Sequence, residues 1–340
     1  MINHRCYLSK SYPGLNAAGS KAKCDIETIM SQAGIRNIGL PQAYHTYKIS
    51  AFFYTLRSVL KMAFLIRKGD ELILQYPFKK YYFFCCSIAH LRGAKVTTII
   101  HDLGSFRRKK LTIAKELKRL NLTDKLIVHN QKMNQWLQIQ GYKKPMVNLE
   151  IFDYLSSTKA SSTPPPTDGK YQILYAGGLS IRKNQFLYEL GDCIAPHTLN
   201  LYGNGFDSSK AKHPELIHYS GFVPSDELIA SAEGHFGLVW DGDSLDGCTG
   251  EWGNYLQYNN PHKTSLYIRC HLPLIIWEKA ALADFVRRNQ IGIVVKSLED
   301  INLQLNKLTA DQYLNMKQQV EIISSKLAKG YFVMKAINKD

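Results

Sequence analysis

The chain has no long uninterrupted hydrophobic run, no paired cysteine spacing and a shortage of acidic residues. Its most apolar stretch, Ala51 to Ile66, is broken by Arg57 and Lys61 and is too short to span a bilayer comfortably, so it reads as a buried or interfacial helix. Met1-Ile2-Asn3-His4-Arg5 enters polar sequence at once in place of a signal-type apolar core, which argues against secretion. Seven cysteines form an odd set without C-x-x-C spacing, and Cys85 and Cys86 are adjacent. Neither a disulfide framework nor a zinc site is suggested, and a reducing, cytoplasmic location is expected. The G-x-G-x-x-G and P-loop spacings are both missing, which lowers NAD and ATP as ligands. No internal repeat is found, which speaks against a solenoid. Against 28 acidic residues stand 43 basic ones, a net charge of +15. That excess favours an anionic partner: nucleotide phosphates, an acidic membrane surface or nucleic acid.

A length of 340 residues with 45% hydrophobic content suits two domains. The clearest break lies at Ser156 to Thr167, where small polar residues and Pro164-Pro165-Pro166 replace apolar periodicity. Before it, strands are expected at Glu71–Tyr76, Lys95–His101 and Lys125–Val128, separated by helices near 50–67, 80–92 and 110–121. After it come strands at Tyr171–Ala176, Thr198–Tyr202 and Gly237–Trp240, with a helix at Lys183–Leu190. The last stretch, from Asp311 to Lys339, has helical composition with Leu314, Val320, Ile323, Leu327 and Val333 as its apolar positions. The reading is an α/β chain of two doubly wound, Rossmann-like domains with a cleft between the carboxyl ends of their sheets. Its bounds are 1–158, a linker at 159–168, 169–315, and a helix at 316–340 returning to the first domain.

Asn259-Asn260-Pro261-His262-Lys263 reads as an anion site. Asn259 or Asn260 is a plausible N-cap, Pro261 suits the first helical turn, and free N–H groups place a positive dipole end beside the Lys263 ammonium. The segment feeds a helix-like run ending at His271–Ile276, followed by a small buried strand and a second helix at Ala280–Val286. Gly177-Gly178-Leu179-Ser180-Ile181-Arg182-Lys183 follows a strand and opens a helix, so its backbone can approach an anion while Arg182 and Lys183 supply charge; a plain strand-to-helix turn is the alternative. A second glycine loop, Pro13-Gly14-Leu15-Asn16-Ala17-Ala18-Gly19, precedes a helix holding Ile26, Ile29 and Met30. Its small residues let a sugar or acceptor come close to backbone amides, although an ordinary flexible loop explains the composition nearly as well.

His101-Asp102 emerges at the carboxyl end of a buried strand, where catalytic groups sit in open α/β sheets. One of them is a candidate general base for an acceptor hydroxyl; the alternative is that Asp102 caps a turn or pairs with Arg107. Asp241, Asp243 and Asp246 invite a metal reading, but the pattern is not an EF-hand, and a structural or substrate-contacting loop is favoured. Tyr255 and Tyr258 are candidates to stack on a base or sugar, although aromatics more often pack in cores. The basic run Arg107-Arg108-Lys109-Lys110, with Lys115, Lys118 and Arg119, reads as an interfacial helix for anionic lipid or as a solvated face. No nucleic-acid module accompanies it.

Together, Asn260 to Lys263, Gly178-Leu179-Ser180 with Arg182, and the His101-Asp102 strand end resemble the bacterial GT-B glycosyltransferases related to β-1,6-galactofuranosyltransferases and to the glucosyltransferase of serine-rich adhesins. The resemblance covers nearly the whole chain and is strongest from about Gly221 to Val295. It implies a UDP-sugar donor bound mainly by the second domain, with Lys263 and Arg182 on the diphosphate and neighbouring backbone amides in support. It also implies transfer of a hexose, galactofuranose or glucose, to a hydroxyl of a glycan or lipid-linked glycan acceptor. No metal and no further cofactor is implied, and inversion follows if a single displacement operates. Asp102 is then the first choice as base and His101 the second. A homo-oligomer and contact with the inner face of a membrane are both compatible with the resemblance. The competing readings are a UDP-sugar epimerase and a non-catalytic basic protein that binds anionic lipid or nucleic acid.

Overall fold

The structure is a computed structural model that describes residues 4–12, 18–78, 81–107, 111–161 and 163–339. It divides into two compact units, one running up to Asp153 and resuming at Gly330, the other spanning Tyr154–Lys329.

The first unit is built on strands β1 (Arg5–Tyr7), β2 (Ser11–Tyr12), β3 (Arg36–Asn37), β4 (Ala43–Tyr44), β5 (Glu71–Tyr76), β6 (Lys95–Ile100), β7 (Lys125–Val128) and β8 (Met146–Asn148). Six of them form a parallel sheet in the order β3-β1-β5-β6-β7-β8, and β2 pairs with β4 apart from it. All of β5 is buried, because helices cover both faces and the strand needs no polar alternation. Its polar members are paired: Glu71 meets Arg5 at 3.0 Å and Lys125 at 3.6 Å, and Thr97 of β6 donates to Glu71. The helix Lys48–Leu65 buries Val59 and Met62, and Tyr82–Leu91 buries Cys85, Cys86 and Ala89, in one core with Leu72, Leu74 and Val96.

The second unit carries β9 (Gln172–Ala176), β10 (Thr198–Tyr202), β11 (Ile217–Tyr219), β12 (Phe236–Val239), β13 (Leu274–Trp277) and β14 (Gly292–Val295). They make a parallel sheet in the order β11-β10-β9-β12-β13-β14. Strand order therefore reverses between β9 and β12, and ligands of open α/β sheets bind at such a reversal, beyond the carboxyl ends of the strands. The helix His262–Arg269 lies against β12. A Cβ on Gly237 would stand 2.5 Å from the Tyr267 ring, and the Tyr267 hydroxyl accepts from the Ala176 N–H at 2.8 Å.

The C-terminal stretch is two helices, Ala310–Ala328 and Tyr331–Ile337. The first opens with a capping box of Thr309 and Gln312, and Gly330 ends the run in a left-handed conformation, φ +69°. Asp153 then accepts hydrogen bonds from the Phe332 N–H at 3.2 Å and the Val333 N–H at 2.7 Å. Burial nevertheless pushes its carboxyl up to about 7.

Besides the expected helix at 316–340, which is broken at Gly330, three other expected helices differ from those observed. In place of Lys183–Leu190 stand two short helices, Phe186–Glu189 and Gly191–Ile194. The N–H groups of Lys183 and Asn184 turn back to the Ser180 carbonyl at 2.9 and 3.0 Å, which holds those residues in a turn. The helix expected at Ala280–Val286 starts at Ala283. The basic run at 107–119 does not form one helix: Gly104–Arg107 and Ile113–Leu120 are separate, and Arg108 to Lys110 lie outside the described residues. Glu116 ties Ile113–Leu120 inward, accepting the Tyr76 hydroxyl at 2.9 Å and the Gly104 N–H at 2.8 Å.

Candidate functional site

At the carboxyl ends of β9 and β12 the second unit gathers a buried ion cluster. Lys263, in the first turn of His262–Arg269, points its ammonium at three acceptors: the Tyr175 hydroxyl at 2.8 Å, the Trp240 carbonyl at 2.9 Å and Asp241 Oδ1 at 2.9 Å. Lys183 reaches the same Asp241 oxygen at 3.3 Å and stands 5.6 Å over the Trp252 ring. Burial pulls the Lys263 ammonium down to about 8, with Asp241 opposing that effect and Lys183 adding to it. Burial raises the Asp241 carboxyl, but the lysine charges outweigh it and hold the group below its ordinary value. Two cations and one anion leave a net positive charge at the reversal point of the sheet.

Around this cluster the backbone is bare. Gly177 has φ +143° and Gly178 follows it, both exposed, and a Cβ on either would meet nothing within 4 Å. Beside them the turn after β10 brings Gly203 so close that its Cβ would stand 1.7 Å from the Gly177 carbonyl oxygen. Asn184, fully buried, locks the loop by donating to the Gly178 carbonyl and accepting the Tyr175 hydroxyl at 2.8 Å. Ser180 and Arg182 are exposed, and Arg182 makes no hydrogen bond or ion pair among the described residues.

The N-terminal cap of His262–Arg269 differs from the sequence expectation. Pro261 occupies the cap position with an extended backbone, and no side chain caps the helix. Asn260 is instead buried, and Asn259 ends the preceding turn through its N–H to the Tyr255 carbonyl at 3.0 Å. Tyr255 is buried and Tyr258 half-buried, both in the segment leading to this helix. Of the three aspartates after β12, Asp241 is committed to lysine, and Asp243 accepts the Thr249 hydroxyl.

In the first unit, His101 and Asp102 are half-buried at the carboxyl end of β6. The Gln75 amide donates to the Lys23 carbonyl at 3.2 Å and the Glu27 carboxylate at 3.5 Å, so its oxygen faces His101 Nε2 at 2.6 Å and that nitrogen carries the proton. The His101 ring also stacks on Phe152, 5.3 Å between centroids. Beneath it Glu27 accepts the Ser9 and Tyr12 hydroxyls, and burial pushes its carboxyl up to about 7. Burial and the Lys10 charge pull the Lys23 ammonium down to about 7, against the attraction of Asp102. Of the N-terminal glycine loop, Gly14 and Asn16 lie outside the described residues, and Gly19 belongs to the helix Ala18–Gln32, not to a loop.

Residues 5–151 match the family described as Glucosyltransferase 3-like, N-terminal domain, and residues 173–340 match its C-terminal domain. The chain is 33% identical to beta-1,6-galactofuranosyltransferase WbbI of Escherichia coli (strain K12) over 275 residues, 78% of each chain. It belongs to the glucosyltransferase 3-like glycosyltransferases. The chain is also 26% identical to Glucosyltransferase 3 of Streptococcus gordonii over 257 residues, 72% of this chain and 70% of the relative. Among solved structures, Anabaena Alr3699/HepE in complex with UDP and glucose superposes with a TM-score of 0.60 at 12% identity, covering 98% of both chains. The apo lipopolysaccharide outer core galactosyltransferase WaaB gives 0.61, also at 12% and 98%. At that identity the likeness speaks for the fold, which is GT-B, with two Rossmann-like units.

In this glucosyltransferase 3-like chain, Lys263, Arg182, Gly178 and Ser180 stand out from the sequence, but the acceptors around Lys263 do not. Tyr175 and Asn184 carry no such signal in the sequence, and Asp241, expected in a structural or substrate-contacting loop, proves to be the carboxylate shared by the two lysines. Gly203-Asn204-Gly205 directly after a strand was a usable signal for the second bare turn.

Proposed function

We propose that this glycosyltransferase moves a hexose, galactofuranose or glucose, from a UDP-sugar to a hydroxyl of a glycan acceptor, by a single inverting displacement that needs no metal ion. The observation that carries this reading is the net positive Lys183–Asp241–Lys263 cluster beside the bare Gly177-Gly178 turn and Arg182, which is unpaired among the described residues. A UDP leaving group gathers negative charge as the glycosidic bond breaks, and preorganised cations and backbone N–H groups at that point lower the barrier. Lys263 already spends its three N–H donors, so it acts on the diphosphate through its field or by exchanging Asp241 for phosphate. Arg182 is the direct ligand, with Ser180 and the Gly178 backbone beside it. Tyr258, half-buried in the segment leading to the helix that carries Lys263, is the stacking candidate for base or sugar, whereas Tyr255 and Asn260 are buried and support that segment from within. Asp102 is the first candidate to accept the acceptor proton, with His101 second. WbbI is named a galactofuranosyltransferase and the Streptococcus gordonii relative a glucosyltransferase, which supports a hexose donor and leaves both sugars in play.

The test is calorimetric titration with UDP, ADP and GDP, first in EDTA and then in Mg²⁺. Selective UDP binding that is unchanged by EDTA is expected, with Arg182→Ala weakening it about 10- to 100-fold, the worth of a charged hydrogen bond. Equal affinity for the three nucleotides, or dependence on Mg²⁺, would refute the reading.

A further inference from the structure

The helix Lys48–Leu65 has an apolar stripe that its own unit does not cover. Its inner face buries Thr55, Ser58, Val59 and Met62. On the outer side Ile49, Phe53, Leu60 and Phe64 are 74, 56, 45 and 79% exposed, and the half-buried Leu56 completes the series. Spacings of four, three, four and four residues put these five on one helical face. The neighbouring helix Tyr82–Leu91 adds Phe83 and Leu91, 66 and 81% exposed. Phe52, beside Tyr81 at 6.1 Å between rings, joins the two helices. Single exposed apolar residues are ordinary, whereas an apolar stripe along one helix with further exposed apolar residues on its neighbour marks a surface made to be covered.

The charge around the stripe selects what covers it. No acidic residue occurs from Thr28 to Gly69 or from Leu72 to His101. Lys48, Arg57, Lys61, Arg67, Lys68 and Arg92 are exposed, and none forms an ion pair among the described residues. A second copy of the chain laid on this face would oppose cation to cation, whereas a sheet of lipid phosphates would neutralise them all. Phenylalanine, leucine and isoleucine flanked by lysine and arginine are the side chains that seat a helix at the headgroup boundary. No described helix is long and apolar enough to cross a membrane, so the contact is one of surface attachment.

We propose that the outer faces of Lys48–Leu65 and Tyr82–Leu91 dock the first unit on an anionic lipid bilayer, with Phe53, Leu60 and Phe64 entering the acyl boundary and Arg57 and Lys61 meeting phosphates. This surface draws on none of the residues of the basic run at 107–119, and it does not depend on which nucleotide the second unit binds.

The experiment is flotation of the whole chain with vesicles of phosphatidylcholine alone or mixed with phosphatidylglycerol, over a salt series, alongside sedimentation velocity without lipid. Binding to the mixed vesicles only, weakening as salt rises, is expected. F53S/L60S/F64S and R57E/K61E should each reduce it at least about 10-fold, with UDP titration and melting temperature as controls for an intact fold. These positions face solvent, so both variants retain their core. Failure of the unaltered chain to float with the mixed vesicles, or equal flotation by the variants, would overturn the proposal. So would self-association without lipid that F53S/L60S/F64S abolishes, which would assign the stripe to a second copy.

Discussion

Lys263 and Asp241 should prove to be a coupled pair whose members stabilise each other more than either stabilises the fold alone. At an effective dielectric constant of about 20, the 2.9 Å contact is worth about 6 kcal/mol of gross attraction, and the 3.3 Å contact of Lys183 with the same oxygen about 5 kcal/mol. Much of this is offset by desolvation, as the fall of the Lys263 ammonium to about 8 indicates. Lys263→Met leaves Asp241 buried with only Lys183, and a loss of about 3 kcal/mol is expected. Asp241→Asn leaves two ammonium groups facing each other, at a similar cost. In the double variant the surviving Lys183 has neither a buried carboxylate nor a competing ammonium, so the losses should fall short of additivity by about 1–2 kcal/mol. Urea unfolding followed by tryptophan fluorescence is the assay. Trp240, Trp252 and Trp277 all lie in the Tyr154–Lys329 unit, and only Trp136 reports on the other. Additivity within about 0.5 kcal/mol would refute the reasoning.

Gly203→Ala should destabilise the second unit by about 3 kcal/mol, because its Cβ would meet the Gly177 carbonyl oxygen, whereas Gly177→Ala has open space and bears only backbone strain of about 1–2 kcal/mol; melting curves compare them. Glu27 titrates near 7 in the fold against 4.5 in the open chain, so the folded state holds the extra proton and this group's contribution is lost as pH rises from about 4.5 to 7. Glu27→Gln should remove that slope, on the order of 3 kcal/mol, and unfolding free energies of both proteins across this range would detect it. Gln75→Leu takes away the oxygen that holds His101 Nε2 at 2.6 Å, and should lower transfer about 10-fold while leaving UDP affinity unchanged in the same titration. Loss of UDP affinity in that variant would mean a structural defect instead.

The central strands were legible because burial on both faces writes continuous apolar runs. β5, β7 and β10 have the bounds their sequences suggest. β3, β4, β8 and β11 are two or three residues long, too short for any period to show, and exist only because a neighbouring strand offers a partner edge. Local chemistry misled at Asn259-Asn260, good capping residues in isolation, where tertiary packing draws Asn260 into the core and gives the cap position to Pro261. Lys263 and Lys183 stand out in sequence as cations near loops. Their shared claim on Asp241 does not, because β9, β12 and the helix after Pro261 meet only once the parallel sheet has formed. The same holds for Gln75 and His101, which pairing of β5 with β6 brings together.

The return of the chain at Gly330 has a consequence for synthesis. Tyr331–Ile337 buries Phe332, Val333, Ala336 and Ile337, and Gly330 sits against Ile29 of the first long helix. Asp153 waits for the N–H groups of Phe332 and Val333, made some 180 residues later. The unit that begins first on the ribosome is thus the one completed last. Until the segment beyond Gly330 emerges, the nascent N-terminal unit lacks the four apolar side chains that complete its packing, while the intervening unit, whose strands are contiguous in sequence, is free to close.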